Sequence, residues 1–249
     1  MFNFKQSISE QVLLGTFVKT PHPHIIEVLA IAELPFIVLD AEHAPFDRAS
    51  LDVCILAARA HQLPCLVRVP DSNPSTVLNA LDCGATGVQI PHVCTAQQAE
   101  DIARMCHYGE RGRGYAGSSR AACYTTKPMA QHLSDSKAKT VVIAQIEDPE
   151  GVENIERIAQ VEGIDALFIG QVDLTVAYGA SSVNDDRVTQ ASIRIIEAAK
   201  ASHKPVGMFV ATAEAAKQWA ELGVQFFCVG SEHKMIIDGF KREINVMNS

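Results

Sequence analysis

The chain lacks several features that would have assigned it to other classes. No two of its seven cysteines (Cys54, Cys65, Cys83, Cys94, Cys106, Cys123, Cys228) form a CxxC pair. An odd, scattered set of this kind reads as reduced, packed thiols rather than a disulfide framework or a zinc site. No apolar run approaches the length of a membrane span. The amino terminus, MFNFKQSISE, has no signal-peptide core, so a cytoplasmic location is expected. There is no excess of basic charge: 21 Lys and Arg stand against 29 Asp and Glu, and the net charge of −8 excludes a general nucleic-acid binder. No GxGxxG follows the first apolar run, which removes the main support for a dinucleotide fold. No lysine lies inside any strand-like run, and Lys19, at the end of the first, is only marginal. A Schiff-base mechanism, which needs a lysine projecting from a strand, is therefore disfavoured.

What the 249 residues do contain is a regular alternation. Eight short, β-branched or aromatic-rich runs span 13–19, 36–40, 65–69, 87–90, 140–146, 166–170, 206–211 and 226–230. They are almost free of charge, as strands buried on both faces should be. Helical patterns separate them, with Ser75 and Thr95 placed as N-caps and Pro149 in a first helical turn. Eight βα units at roughly 30-residue spacing predict one (β/α)8 barrel, the TIM-barrel fold, over residues 1–249. A doubly wound open sheet shares the alternation, and the count of eight favours the barrel. Residues 109–139, rich in Gly and Arg, break the rhythm and are expected as a long loop over the catalytic face.

In such a barrel the carboxyl ends of all strands open on one face, where ionisable residues at the run ends converge. Glu147 and Asp173 follow adjacent strands. Two carboxylates brought together there repel unless a proton or a cation separates them, and an oxygen-rich pair suits Mg²⁺ or Mn²⁺. Taken singly, each could simply cap the helix that follows. Arg68, between Val67 and Val69, requires an anion: Asp40, Glu42 or a substrate oxygen. His43, close to Asp40 and Glu42, suits a general base near neutral pH. His22 and His24 flank Pro23 and either line the site or are solvated, while His92 is on the right face without an evident partner. His61, His107, His132, His203 and His233 are expected at surfaces.

LDAEHAP, LVRVP, RGRGYAGSSRA, AQIED and VEGIDALFIGQVDL together resemble the HpcH/HpaI aldolase family, metal-dependent class II pyruvate aldolases, in order from about Gly15 to Ser231. The resemblance implies a phosphoenolpyruvate/pyruvate-type barrel that cleaves a 2-keto-4-hydroxy acid to pyruvate and an aldehyde through a pyruvate enolate. By position it puts metal ligands (Mg²⁺ or Mn²⁺, with Co²⁺ a further option) on Glu147 and Asp173. The enolate-stabilising arginine falls on Arg68, and the catalytic histidine on His43 with Asp40 as its partner. Gln145, together with the backbone of Gly170, Gln171 and Val172, would orient pyruvate. It also implies a hexamer, a trimer of dimers exchanging a C-terminal helix near HKMIIDGFKREINVM. Two departures stand out: Gln171 replaces a common proline and could add a side-chain contact near the carboxylate pocket, and YGERGRG lacks the paired prolines of many relatives. Competing readings are a CoA-ester lyase of the citrate or malyl type, with Arg111, Arg113 and Arg120 facing the CoA tail, and a keto-acid-binding barrel without turnover.

Overall fold

The computed structural model describes residues 3–249. Each of the eight runs forms a strand whose ends fall within one residue of those expected: β1 (Leu13–Val18), β2 (Ile37–Asp40), β3 (Cys65–Arg68), β4 (Gly87–Ile90), β5 (Val141–Ile146), β6 (Ala166–Ile169), β7 (Val206–Val210) and β8 (Phe226–Ser231). They pair in chain order, all parallel, and β8 closes onto β1 to complete the barrel. An open sheet is thereby excluded. α1 (Phe4–Glu10) precedes the barrel. Around it run α2 (Pro23–Ile31), α3 (Arg48–Ala60), α4 (Pro74–Asp82), α5 (Ala96–Cys106), α6 (Met129–Lys139), α7 (Pro149–Glu153), α8 (Ile155–Ala159), α9 (Gln171–Ala177), α10 (Asp186–Ala201), α11 (Ala213–Glu221) and α12 (Glu232–Met247).

Local chemistry explains the helix starts. Thr95 caps α5 by accepting the Gln98 amide, and Pro149 opens α7, both as expected. Ser75 is not a cap: Asn73 takes that position and accepts the Ser75 N–H at 2.9 Å. Pro74, preset for the first helical position, moves the cap to the residue before it.

Two apolar layers hold the barrel. One lies between the sheet and the surrounding helices, and the other fills the barrel axis. The axial layer is a relay of rings: Phe4–Phe36, Phe36–Phe226, Phe168–Phe226 and Phe17–Phe168 have centroids 5.1, 6.2, 6.0 and 6.1 Å apart. Phe4 and Ile8 of α1 insert into its lower end. The N-terminal mouth is thus filled with aromatic packing, leaving the carboxyl ends of the strands for chemistry.

The expectation for residues 109–139 is corrected. They connect the end of α5 to the start of β5, which lie on the N-terminal face, and none of them lines the cavity at the strands' carboxyl ends. Met129–Lys139 is helix α6 rather than loop. The preceding part is pinned on the outer helices, with Arg120 donating to the carbonyls of Asp52 and Cys83 and pairing with the Asp52 carboxylate at 2.7 Å. Here too His132 is buried, not at the surface, its Nε2 3.0 Å from the Tyr108 hydroxyl. Its Nδ1 is buried without a partner, and burial lowers its pKa, so the ring is packed in the neutral form.

Beyond β8 the chain ends in α12, of which Glu232 alone is buried. Ile236, Phe240 and Ile244, four residues apart, form an exposed apolar stripe beside Met235 and Ile237.

Candidate active site

Sheet register builds the first half of the site. Asp40 pairs with Arg68, and Arg68 with Gln89, placing the three in one row at the ends of β2, β3 and β4. All three are buried. Arg68 donates Nε and Nη2 to Asp40 Oδ1 at 3.0 and 2.8 Å, and its guanidinium lies 4.5 Å from the Phe17 ring centre. Lys19 Nζ is 2.7 Å from Asp40 Oδ2. Burial alone would raise the Asp40 carboxyl, but the Arg68 charge and the Lys19 and Arg68 hydrogen bonds outweigh it and hold the carboxyl below the usual range. No hydrogen bond among the described residues uses Arg68 Nη1, which remains for a ligand.

Asp40 is not the partner of the His43 ring. It accepts the backbone N–H of His43 at 3.2 Å and so fixes the turn after β2. The ring instead faces Glu42, with His43 Nε2 3.7 Å from Glu42 Oε2. Asp40 already satisfies two cations, which leaves the neighbouring glutamate for the imidazole. Glu42 Oε2 makes no hydrogen bond but lies 3.3 Å from Arg68 Nε, so the Arg68 guanidinium serves both carboxylates.

The second half centres on Glu147, just beyond β5 and almost wholly buried. Its Oε1 accepts the His92 amide at 2.8 Å, and its Oε2 accepts from Gln145. Gln145 in turn accepts from Gln89, so a buried chain Gln89–Gln145–Glu147 sets the carboxylate's orientation. Gln145 therefore aligns Glu147 with its amide nitrogen rather than holding that donor free for substrate. A Cβ on Gly170 would lie 2.6 Å from Glu147 Cβ and 2.8 Å from Oε2, so only glycine lets β6 end this close to the carboxylate. Burial pushes the Glu147 carboxyl up to about 7, the like charge of Asp173 adding to it while Gln145 and His92 oppose it.

His92 adopts φ +54, the left-handed region. This backbone turn directs both its N–H and its ring at carboxylates: Nδ1 is 2.9 Å from Asp148 Oδ2, and Nε2 is 3.7 Å from Glu42 Oε1. Ligand atoms of Glu42, His92 and Glu147 all lie within 4.8 Å of one another. A buried, proton-attracting glutamate beside the carboxylates of Glu42 and Asp148 makes an oxygen-rich donor set, and a divalent ion fits it.

A cavity of about 270 Å³ opens here, lined among others by Lys19, His43, Arg68, Gln145, Asp173 and Lys234. Asp173 stands in the first turn of α9, half-buried. The Gly170 amide is not free, since it donates to Ile146 at 3.0 Å. The amides of Gln171 and Val172 begin α9 and have no acceptor within the helix. Gln171 does not reach the cavity with its amide group, which donates to Ser192 on α10 at 3.2 Å. A wider groove of about 1250 Å³ lies on the outer flank among α5, α6 and α8, and no strand's carboxyl end contributes to it.

The family model for HpcH/HpaI aldolase/citrate lyase matches residues 13–239. The chain belongs to that family. Among curated relatives, the 5-keto-4-deoxy-D-glucarate aldolase of Klebsiella pneumoniae is 33% identical over 92% of this chain and 90% of its own. An HpcH/HpaI aldolase/citrate lyase family protein from Burkholderia cenocepacia superposes with a TM-score of 0.93 at 29% identity, covering 98% of both chains. The citrate synthase SbnG superposes with a TM-score of 0.89 at 29% identity over 99% of this chain and 97% of its own. This HpcH/HpaI member is accordingly a class II aldolase, a carbon–carbon lyase. No helix among the described residues is long and apolar enough to cross a membrane. Two of the three arginines that would have favoured a CoA ester are engaged elsewhere: Arg120 on Asp52, and Arg113 buried over the Tyr108 ring at 4.1 Å, while Arg111 is exposed.

Sequence reasoning missed Gln89 and underrated His92, Glu42 and Lys19. Gln89 and Gln145 carried the same signal as Arg68, a polar side chain inside a buried apolar strand.

Proposed function

We propose that this aldolase interconverts a 2-keto-4-hydroxy acid with pyruvate and an aldehyde, using Mg²⁺ or Mn²⁺ held by Glu147 and Asp173. The observation that carries this reading is the convergence of Arg68, His43 and Asp173 on one cavity beside the buried Glu147. When bound, the ion supplies Lewis-acid polarisation of a keto group. The chain's own residues supply the rest. Arg68, locked by Asp40 and backed by Phe17, presents Nη1 to the negative charge that develops on the enolate oxygen. Its pairing is complete before substrate arrives, so little reorganisation accompanies charge development. His43 borders the cavity, with Glu42 Oε2 3.7 Å from its ring, and moves the proton of the aldol hydroxyl. The amides of Gln171 and Val172 receive the pyruvate carboxylate. The chemistry of the curated relatives' named substrate, a keto diacid, makes an aldehyde bearing a carboxylate the substrate class to try first.

Deuterium exchange at the pyruvate methyl group, followed by NMR in D₂O, tests this without knowledge of the aldehyde. Exchange should proceed with Mg²⁺ or Mn²⁺ and stop with EDTA. Absence of exchange under every metal would reject the enolate half-reaction.

The apolar stripe of α12 is the reading's support for a homo-oligomer, in which a second copy covers Ile236, Phe240 and Ile244. Sedimentation of Phe240→Glu/Ile244→Glu should show a smaller species than the wild type. Equal sedimentation of the two would remove α12 from the interface.

A further inference from the structure

We infer that Lys234 is the specificity residue for the aldehyde, reading a carboxylate at its far end together with the Ser231 hydroxyl. This rests on the proposed enolate reaction and assigns a subsite to the partner that adds to pyruvate. The cavity has two walls. Arg68, Gln145 and Asp173, from β3, β5 and α9, stand on one, where the proposed reaction places pyruvate. The other comes from the ends of β1, β7 and β8 and the first turn of α12, and carries Phe17, Lys19, Phe209, Ser231 and Lys234. The Phe17 and Phe209 rings, 6.1 Å apart, offer no polar group, so its chemistry falls to the other three.

Charge singles out Lys234 among them. Lys19 is committed to the buried Asp40 at 2.7 Å, and Arg68 across the cavity to Asp40 and Glu42. Lys234 pairs only with Asp238, at 2.5 Å, and the two side chains are 46% and 51% exposed. An exposed i,i+4 pair contributes little, and lysine ahead of the acid is the weaker order. Lys234 is also the third residue of α12, in the first turn, where the helix dipole disfavours a cation. The positive charge therefore adds little to the fold, whereas an anion in the cavity gains from it.

The base of this side chain is nevertheless fixed. Glu232, 2% exposed, accepts the Lys19 N–H at 2.8 Å and the Thr20 N–H at 2.6 Å, which holds the start of α12 against the end of β1. A Cβ on Gly230 would lie 3.5 Å from Lys234 Cδ, so the lysine stem runs along bare backbone at the cavity wall. Ser231 Oγ accepts the Lys234 amide at 3.4 Å, and its own proton goes to no protein acceptor among the described residues. One ammonium and one hydroxyl suit a monoanion such as a carboxylate rather than a phosphate dianion.

The experiment uses the full chain with Mn²⁺ and follows aldol addition of pyruvate to two aldehydes of matched shape. One is 4-oxobutanoate. The other is 4-methylpentanal, in which an isopropyl group replaces the carboxylate. Wild type should show kcat/KM for 4-oxobutanoate about 10-fold or more above that for 4-methylpentanal, as expected for a hydrogen bond between charged groups. Lys234→Gln should lose about 10-fold of this preference, chiefly as a higher KM for 4-oxobutanoate, and Lys234→Arg should keep most of it. Circular dichroism establishes that each variant is folded. Equal kcat/KM for the two aldehydes in wild type, or an unchanged ratio in Lys234→Gln, overturns the inference and leaves the enolate reading standing. Metal-dependent exchange at the pyruvate methyl group without addition to either aldehyde does the same. Absence of both exchange and addition overturns both.

Discussion

Replacing Arg68 with alanine should slow metal-dependent exchange at the pyruvate methyl group by about 10²–10³-fold, the usual loss when one fixed donor to a developing oxyanion is removed. The guanidinium is held on three sides, by Asp40 Oδ1, by the Phe17 ring and by a strand whose register fixes its height in the barrel. No water rearrangement can reproduce that placement. The same substitution leaves Asp40 buried with only Lys19 and the His43 amide as partners, and breaking a buried pair in this way costs about 3–5 kcal/mol. Arg68→Lys separates the two effects: it retains a charge for Asp40 but cannot reproduce the fork that uses Nε and Nη2 together. Exchange in Arg68→Lys should still fall severalfold or more while Mn²⁺ affinity, read by EPR, stays within a few-fold of wild type. A folded Arg68→Lys protein with wild-type exchange would remove the oxyanion role.

Glu147→Gln should stabilise the metal-free protein and abolish its activity. In the fold the Glu147 carboxyl titrates near 7, against 4.5 for an unperturbed glutamate. As pH rises from 4.5, the unfolded chain releases this proton first, so the metal-free fold loses stability up to about pH 7 and then levels off. The shift corresponds to about 3 kcal/mol at pH 8. Glutamine keeps the shape and an acceptor for the His92 amide, and once the Gln145 and Gln89 amides turn over so that Gln145 Oε1 accepts from the new NH₂, it removes the buried charge without losing that bond. Thermal denaturation of EDTA-treated protein should therefore give a higher Tm for Glu147→Gln at pH 8 and a Tm equal to wild type near pH 4.5. Added Mn²⁺ should raise the Tm of wild type strongly and that of the variant little. A wild-type Tm without pH dependence between 5 and 8 would contradict the buried charge, and full turnover by the variant would remove Glu147 from the ion. Such exchange of stability for function is expected where a site is built from repelling groups.

Much of this was legible in the residues. Eight apolar runs marked all eight strands because a strand buried on both faces must be apolar throughout, and that demand is local. Arg68, Glu147 and Asp173 stood out because they interrupt or end such runs. The path of residues 109–139 was legible in principle as well: a segment between a helix end and the next strand start returns to the N-terminal face of its own barrel, whatever its composition. Reading it as a cover for the site set loop length above connectivity. α1 left little trace, since Phe4 and Ile8 are isolated among polar residues and gain their burial only from a barrel mouth that exists once β8 has closed on β1.

The sequence by itself determined the barrel and the face on which its ionisable residues meet, because strand periodicity and chain order are properties of short segments. Which group touches which was decided by the tertiary structure alone. Asp40 could have served His43 or Arg68, and the register of β2 against β3 set it opposite Arg68. Glu42, His92 and Glu147 belong to three different βα connections, and no spacing between them predicts contact. The left-handed turn at His92 and the missing side chain at Gly170 bring them to one point, since only the closed barrel brings the ends of β2, β4, β5 and β6 within reach of one another.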